Sequence, residues 1–190
     1  TYTEPVIFYE YMYDTALRGQ KSSPRIRSVM ISGGYIQDKP LRELLQVLDA
    51  VKIDLKAFTE SFYKNYVNGE LKPILNTLKI LKSEKAWFEI VYLVIPTLND
   101  SPDSIQEMSS WIMDTLGDTV PIHFTRFYPR YLIKNLPPTP VSTLEQCREI
   151  ALKEGLKFVY VGNVPGHEGE HTYCPRCSGI VIKRYGYYIL

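Results

Sequence analysis

The chain has 190 residues, a formal net charge of +1, 45% hydrophobic residues and 23% charged residues. One globular domain with a sizeable core is the default for these values, and the small charge gives no reason to expect nucleic acid or an anionic membrane as a partner. No apolar stretch approaches the roughly 18 residues that span a bilayer, and no signal peptide is recognisable. Three cysteines, an odd number, do not fit a secreted disulfide scaffold and predict a reducing, cytoplasmic setting.

Strand-like runs and helical patterns alternate from residue 29 onward. Short apolar runs predict strands at 29–31, 50–56, 87–95, 120–127 and 156–161. Apolar residues at helical spacing predict helices between them, over about 41–48, 71–81, 102–116 and 142–154. The predicted helix starts are Asp38, Ser101 and either Ser142 or Thr143, and Gly155 is a predicted stop. Strands and helices that alternate with short connections favour βα units and a parallel sheet of about five strands. The proline-rich stretch 136–140 is interpreted as a loop and not as a domain boundary.

Polar residues collect where the predicted strands end. They are Glu4, Ser32, Gly33, Gly34, Tyr35, Asp54, Lys56, Thr97, Asn99, Asp100, Arg126, Arg130, Asn163 and His167. Because ligands bind beside the carboxyl ends of parallel strands, this coincidence predicts a ligand site at one rim of the sheet. Each residue taken alone is better explained as a solvated loop residue, and only their coincidence at every strand end favours a site.

The Asp54-x-Lys56 pair indicates the kind of ligand. Residues two apart on a strand point to the same face, so these opposite charges could hold a zwitterionic ligand. A salt bridge without a ligand is the alternative. The glycines after Ser32 let the backbone approach a ligand closely, but they do not form a dinucleotide fingerprint.

A second cluster lies near the C-terminus, where His167 and His171 precede Cys174-Pro-Arg-Cys177. Cys-x-x-Cys is half of many zinc and iron–sulfur sites, and three or four of these side chains could close on one metal. A pair of reduced thiols, or half a site whose partners lie elsewhere, remains the alternative. Cys147 is interpreted as a core residue, because it shares the apolar face of its helix, and His123 as an interior histidine.

Several of these stretches together resemble one family. The segments 1–5, 51–58, 94–101, 123–129 and 162–177 are similar to radical SAM proteins, in particular to the AmmeMemoRadiSam subgroup, relatives of pyruvate formate-lyase activating enzyme. The resemblance covers nearly the whole chain and is poorest at residues 19–27.

The resemblance implies a partial (β/α) barrel of the radical SAM type that lacks its first β/α unit, formed by residues 1–165, with a Cys-x-x-Cys extension at 166–190. It implies an enzyme in which a [4Fe–4S] cluster reductively cleaves S-adenosylmethionine to a 5′-deoxyadenosyl radical. By resemblance, the cofactor-binding positions are Glu4, Ser32, Gly33, Asp54, Lys56, Val94 and Ile95. An electron donor such as flavodoxin or ferredoxin and an unknown protein or small-molecule substrate are the implied partners.

Two departures from the family pattern matter. Gly33 stands where relatives usually carry Asn, and the three-cysteine cluster loop is not in these 190 residues. No catalytic residue is therefore assigned here, and we expect a fragment that is inactive alone and that self-associates through an unpaired barrel edge. The alternative is a cluster-less barrel that serves as a binding or scaffold module, with a structural metal such as zinc at the cysteine pair. A phosphate-binding barrel is disfavoured, because no Gly-rich loop precedes a helix start.

Overall fold

A computed structural model describes residues 3–186 and 188–190. Its main sheet has five parallel strands in chain order: β1 Val29–Ser32, β2 Ala50–Asp54, β3 Phe88–Val94, β4 Ile122–Arg126 and β5 Val159–Gly162. The predicted α/β class and the number of strands are confirmed. The strand bounds shift by one to three residues, because apolar residues in the flanking loops also pack into the core.

Helices connect the strands. They are α1 Tyr9–Lys21, α2 Asp38–Leu44, α3 Glu60–Phe62 (followed by a π-helical turn Tyr63–Val67), α4 Leu71–Ser83, α5 Pro102–Leu116 and α6 Val141–Lys153. None of the described helices has the length and apolarity that crossing a membrane requires. One short 3-10 helix, Pro5–Phe8, precedes α1, and another, Glu168–Glu170, follows β5.

Helix starts show where local signals succeed. Ser101 caps α5, with proline at its first position as predicted. Asp38 is instead the first residue of α2, whose cap is Gln37. Helix α6 starts at Val141, ahead of both predicted starts, because Pro140 takes the cap position. Gly155 follows α6 with φ +100°, a conformation that favours glycine and ends the helix as predicted.

The sequence patterns missed helix α1. Tyr9, Met12, Tyr13 and Ala16 do recur at helical spacing, and Ala16 is buried, so the signal was present. The strand-like residues expected before Glu4 fall partly on residues 1 and 2, which lie outside the described residues. Glu4 itself caps the helix Pro5–Phe8 and does not follow a strand.

The two faces of the sheet differ. One face packs against the helices, and its side chains form the core, with Tyr92 and Phe124 meeting edge to face at 5.9 Å. The other face, which we call the open face, is only partly buried and carries both polar and aliphatic side chains. Its polar side chains are Lys52, Asp54, Glu89, His123, Thr125 and Tyr160. Within the described residues, this face of the sheet is therefore the more accessible one.

The C-terminal extension folds into two small hairpins. Strand β6 Thr172–Tyr173 pairs with β7 Ile180–Ile182, and β8 Arg184–Tyr185 pairs with β9 Tyr188–Ile189, both antiparallel. The extension meets the open face at β5: the Arg184 guanidinium lies 5.6 Å from the Tyr160 ring centre, and the Tyr160 hydroxyl is 3.0 Å from that of Thr172.

Candidate functional site at the carboxyl end of the sheet

Glu4 organises the first corner of the rim. Its Oε1 accepts a hydrogen bond of 2.7 Å from the Ser32 hydroxyl, and its Oε2 accepts one of 2.8 Å from the Gly33 amide. The Val6 amide also donates to Oε1, at 3.3 Å. A carboxylate offers about four lone-pair positions, so Glu4 retains acceptor capacity for a further donor. The structure thus brings three predicted residues, Glu4, Ser32 and Gly33, into direct contact.

The charged pair after β2 is also formed. Lys56 Nζ lies 3.1 Å from Asp54 Oδ2, and both side chains are partly exposed. The Tyr63 hydroxyl accepts a hydrogen bond from the Lys56 amide at 3.2 Å. Burial raises the pKa of Tyr63 to about 12, so this hydroxyl stays neutral at physiological pH. Tyr63 fixes the backbone under Lys56 and was not predicted from the sequence.

These two groups are neighbours across the sheet. Strand β1 pairs with β2 so that Ser32 lies beside Ile53, the residue before Asp54. Neighbouring strands are about 4.8 Å apart. The rim therefore presents a carboxylate with spare acceptor capacity beside an exposed ion pair, an arrangement suited to a ligand that carries both an amine and a carboxylate.

Asn99 corrects one expectation about the rim. Its side chain is buried: Oδ1 accepts from the Ile95 amide at 2.6 Å, and Nδ2 donates to the Lys56 and Leu93 carbonyls at 2.8 and 2.9 Å. Every polar atom of this amide is used to join the ends of β2 and β3. Asn99 consequently supports the site and does not face a ligand.

Val94 and Ile95 lie at the end of β3, and both are buried. The Val94 carbonyl accepts a hydrogen bond of 2.6 Å from the Thr139 hydroxyl, and the Ile95 amide already donates to Asn99. A ligand that uses their backbone groups has to rely on a second lone pair of a carbonyl oxygen.

Thr139, in the proline-rich loop, joins β3 to β4. Its hydroxyl donates to Val94 and accepts a 3.0 Å hydrogen bond from the Phe127 amide, at the point where direct pairing of β3 with β4 has ended at Val94 and Arg126. The Thr139 carbonyl accepts from Arg126 Nε at 2.8 Å. Sequence reasoning took this loop for a plain connection, although a threonine between prolines is the visible signal.

The ends of β4 and β5 are also linked. Asn163 Nδ2 donates to the Arg126 carbonyl at 3.1 Å, and the Arg126 guanidinium lies 5.1 Å from the Tyr128 ring centre. A Cβ added at Gly162 would lie 2.8 Å from a methyl group of Thr125. Glycine is therefore required here because the two strands approach closely.

A second polar group lies lower on the open face. His123 Nε2 is 2.8 Å from Glu89 Oε2, and the imidazole stacks on Tyr160 with ring centres 4.8 Å apart. The bond to His123 lowers the pKa of Glu89. A cavity of about 310 Å³ adjoins the pair and is also lined by Glu170 and Arg184. His123 is hydrogen-bonded, as expected of an interior histidine, yet it faces the open side.

The predicted four-residue metal set is not assembled. His167 Nδ1 accepts from the Gly169 amide at 2.9 Å, and its Nε2 lies 3.2 Å from Glu145. His171 Nδ1 accepts from the Arg184 amide at 3.3 Å. Across residues 3–186 and 188–190, no three His, Cys, Asp or Glu side chains form a group that could hold a metal ion. The histidines thus stabilise the extension, and only the cysteine pair keeps its place as a metal-ligand candidate.

Comparisons with known proteins place this geometry in context. No family model matches the chain. An uncharacterized protein of Methanocaldococcus jannaschii is 45% identical over 185 residues, which are 97% of this chain and 54% of that protein. Pyruvate formate-lyase 1-activating enzyme of Escherichia coli is 25% identical over 150 residues, 71% of this chain and 60% of the enzyme. The chain thus spans between half and two thirds of these curated relatives.

Two solved structures share the architecture. A domain of pyruvate-formate lyase-activating enzyme from Bacteroides vulgatus superposes with a TM-score of 0.74 at 14% identity, covering 86% of this chain and 96% of that one. The chain shares the parallel α/β fold of this domain. A radical SAM methyltransferase from Sphaerobacter thermophilus superposes with a TM-score of 0.65 at 13% identity over 88% of this chain and 52% of the methyltransferase. The fold class expected from the resemblance is confirmed, and the AmmeMemoRadiSam subgroup stays a prediction.

Proposed function

We propose that this chain is the S-adenosylmethionine-binding part of a radical SAM enzyme related to glycyl-radical activating enzymes. The observation that carries the proposal is the contact of Glu4 with Ser32 and Gly33, beside the Asp54–Lys56 ion pair, at the carboxyl end of a sheet with this fold. S-adenosylmethionine carries an amine, a carboxylate and a sulfonium charge. The rim offers carboxylate acceptors for the amine and a lysine for the carboxylate.

Each residue has a defined part in binding. Glu4 accepts from the ligand amine with its remaining lone pairs, and its bonds to Ser32 and Gly33 fix its orientation. When S-adenosylmethionine binds, the ion pair between Asp54 and Lys56 is partly replaced by contacts with the amine and carboxylate of the ligand and with its ribose. Val94 and Ile95 lie beside the adenine through backbone contacts, with the Val94 carbonyl as the available acceptor. Gly33 stands where relatives usually carry Asn. A Cβ added at Gly33 would lie 3.4 Å from Glu4 Oε2, so the Glu4 carboxylate is the group next to this position.

The iron–sulfur cluster is not held by the cysteines of these 190 residues. Cys147 is buried, and Cys174 and Cys177 are only two ligands with a spacing unlike that of the family loop. The cluster, with bound S-adenosylmethionine, supplies the hydrogen-abstracting radical in such enzymes, and we place its ligands in a longer form of the protein. The substrate (a partner protein or a small molecule), a flavodoxin- or ferredoxin-type electron donor and a cytoplasmic location belong to the same proposal.

Direct titration with S-adenosylmethionine tests the binding site. We expect the 190-residue chain to bind it, and Asp54→Asn to weaken binding by about 10- to 100-fold, since a hydrogen bond to a charged group contributes about 1.5–3 kcal/mol. The matched control is Glu89→Gln, an equally conservative change on the same face but near the start of its strand. Equal affinities of the wild-type and Asp54→Asn chains by calorimetry would contradict the assignment.

A longer form with a cysteine triad tests the chemistry. Reconstituted with iron and sulfide under argon and then reduced, it should release 5′-deoxyadenosine, whereas the 190-residue chain should not. If the longer form contains no triad, the alternative of a binding or scaffold barrel replaces the enzyme.

A further inference from the structure

The Cys-x-x-Cys turn joins strands β6 and β7 and is closed by two backbone hydrogen bonds. The Cys174 amide donates to the Gly179 carbonyl at 2.8 Å, and the Ser178 amide donates to the Cys174 carbonyl at 2.9 Å. Both cysteines are free, and Cys177 is exposed at the tip of the turn. A short hairpin that presents two thiols from one tight turn is the typical half of a structural zinc site.

The two thiols of the turn are accessible to a metal ion. Cys174 is partly exposed and Cys177 is exposed. Cys147 is the opposite case, because burial raises the pKa of its thiol to about 12. The chain therefore has one pair of accessible thiols suited to a metal and one inert thiol.

Two thiolates do not complete a tetrahedral site. Structural zinc takes four ligands, and within the described residues no third His, Cys, Asp or Glu joins the pair. His167 and His171 are engaged in the fold, and the hairpin segment 172–183 contains no acidic residue. Two further ligands must come from another molecule or segment.

A second copy of the same hairpin can supply the two missing ligands, because a zinc ion with four thiolates offsets the positive charge of the two hairpins and the contact covers exposed apolar side chains. The segment 172–183 carries two cations, Arg176 and Lys183, so two hairpins would repel one another without a metal. Zinc with four thiolates has a net charge of −2 and offsets that repulsion. The same hairpin exposes Ile180 and Val181, at 52% and 64%. A two-fold arrangement would cover these side chains on both copies at once.

We infer that the Cys174–Cys177 turn is half of a zinc site, and that a second copy of this chain supplies the other two thiolates. Each zinc ion then forms four Zn–S bonds, and the thiols release their protons to the solvent on binding. The site lies on the extension, away from the rim, and it does not rest on the proposed binding of S-adenosylmethionine.

Zinc titration of the 190-residue chain, kept reduced with a phosphine, tests this inference. We expect half a zinc ion per chain, a dimer by light scattering and native mass spectrometry, and return to the monomer with a chelator. Three results would each overturn it: one zinc ion per monomer, no bound zinc, or a dimer whose population does not change when zinc or a chelator is added. The last result would indicate pairing through the edge strand β1 instead.

Variants identify the ligands. Cys174→Ser and Cys177→Ser should each weaken zinc binding by more than about 100-fold and abolish the zinc-dependent dimer, while Cys147→Ala should retain both. Circular dichroism confirms that each variant is folded, which the exposed position of the turn favours. Zinc should also slow alkylation of Cys174 and Cys177 in the wild-type chain, and unchanged alkylation rates would count against the site even if a variant fails to fold.

Discussion

Thr139→Val should destabilise the chain more than Thr139→Ser, although valine keeps the size of the side chain. The Thr139 hydroxyl is fully buried and bonds to the Val94 carbonyl at 2.6 Å and to the Phe127 amide at 3.0 Å. Valine leaves both groups without this partner, and each unpaired buried group costs about 1–3 kcal/mol. Serine keeps both bonds and loses one methyl group, which costs about 1 kcal/mol.

The expected losses are about 3 kcal/mol for Thr139→Val and about 1 kcal/mol for Thr139→Ser. For a chain of this size, 1 kcal/mol corresponds to about 2–4 °C in Tm, so valine should lower Tm by about 6–12 °C and serine by about 2–4 °C. Urea unfolding and calorimetry measure both. If serine is as damaging as valine, the methyl group and not the hydroxyl holds the two strands, and the reasoning is refuted.

Two further predictions concern the open face. The pKa of Glu89 is lowered from 4.5 by its bond to His123, so the stability this pair contributes is present above pH 4.5 and is lost as the pH falls through the lowered value. Glu89→Gln should therefore be less stable than the wild-type chain at pH 6, with a difference that shrinks toward pH 3; a constant difference in urea midpoints would argue against the linkage. Gly162→Ala should cost about 1–3 kcal/mol, because its Cβ would lie 2.8 Å from the Thr125 methyl. Adding Thr125→Ser, which removes that methyl, should recover most of the loss, and failure of this rescue would point to backbone strain instead of crowding.

The apolar runs and the residues that bound them were enough to predict the five strands of the sheet. The apolar runs that became β1–β5 are bounded by glycine, proline or polar residues, and Pro102 marks the first residue of α5. Helix α1 went unnoticed because half of its repeating residues are tyrosines, Tyr9 and Tyr13, whose hydroxyls weaken the apolar pattern. The start of α6 moved forward because Pro140 has a backbone angle that suits a helix cap.

The rim was predicted in part. Ser32, Gly33, Asp54 and Lys56 lie at the ends of β1 and β2 as predicted, since strand ends are local features of the sequence. Glu4 does not follow a strand and reaches the same corner through its bonds to Ser32 and Gly33. Asn99 was placed correctly but with the wrong orientation, and Thr139 and Tyr63 were missed. The roles of Asn99 and Thr139 depend on contacts between segments distant in sequence, 43 residues apart for Asn99 and Lys56 and 45 for Thr139 and Val94, which a local pattern does not encode. His167 and His171 had metal-ligand spacing, yet a backbone amide of the extension donates to the Nδ1 of each.

The C-terminal extension packs beside the open face at β5, so a partner can approach that face more easily from the β1 side than from the β5 side. Arg184 and Tyr160 close the β5 flank, whereas at the opposite flank Val29 and Ile31 of β1 remain 59% and 53% exposed. Ile31 lies beside Lys52, and Val29 lies beside Ala50. Among the described residues, no further strand pairs with the outer edge of β1. A large partner that docks on the open face from the β1 side would contact Val29 and Ile31 first. We therefore expect such a partner to present apolar side chains to β1 and charged side chains to the polar residues beyond it.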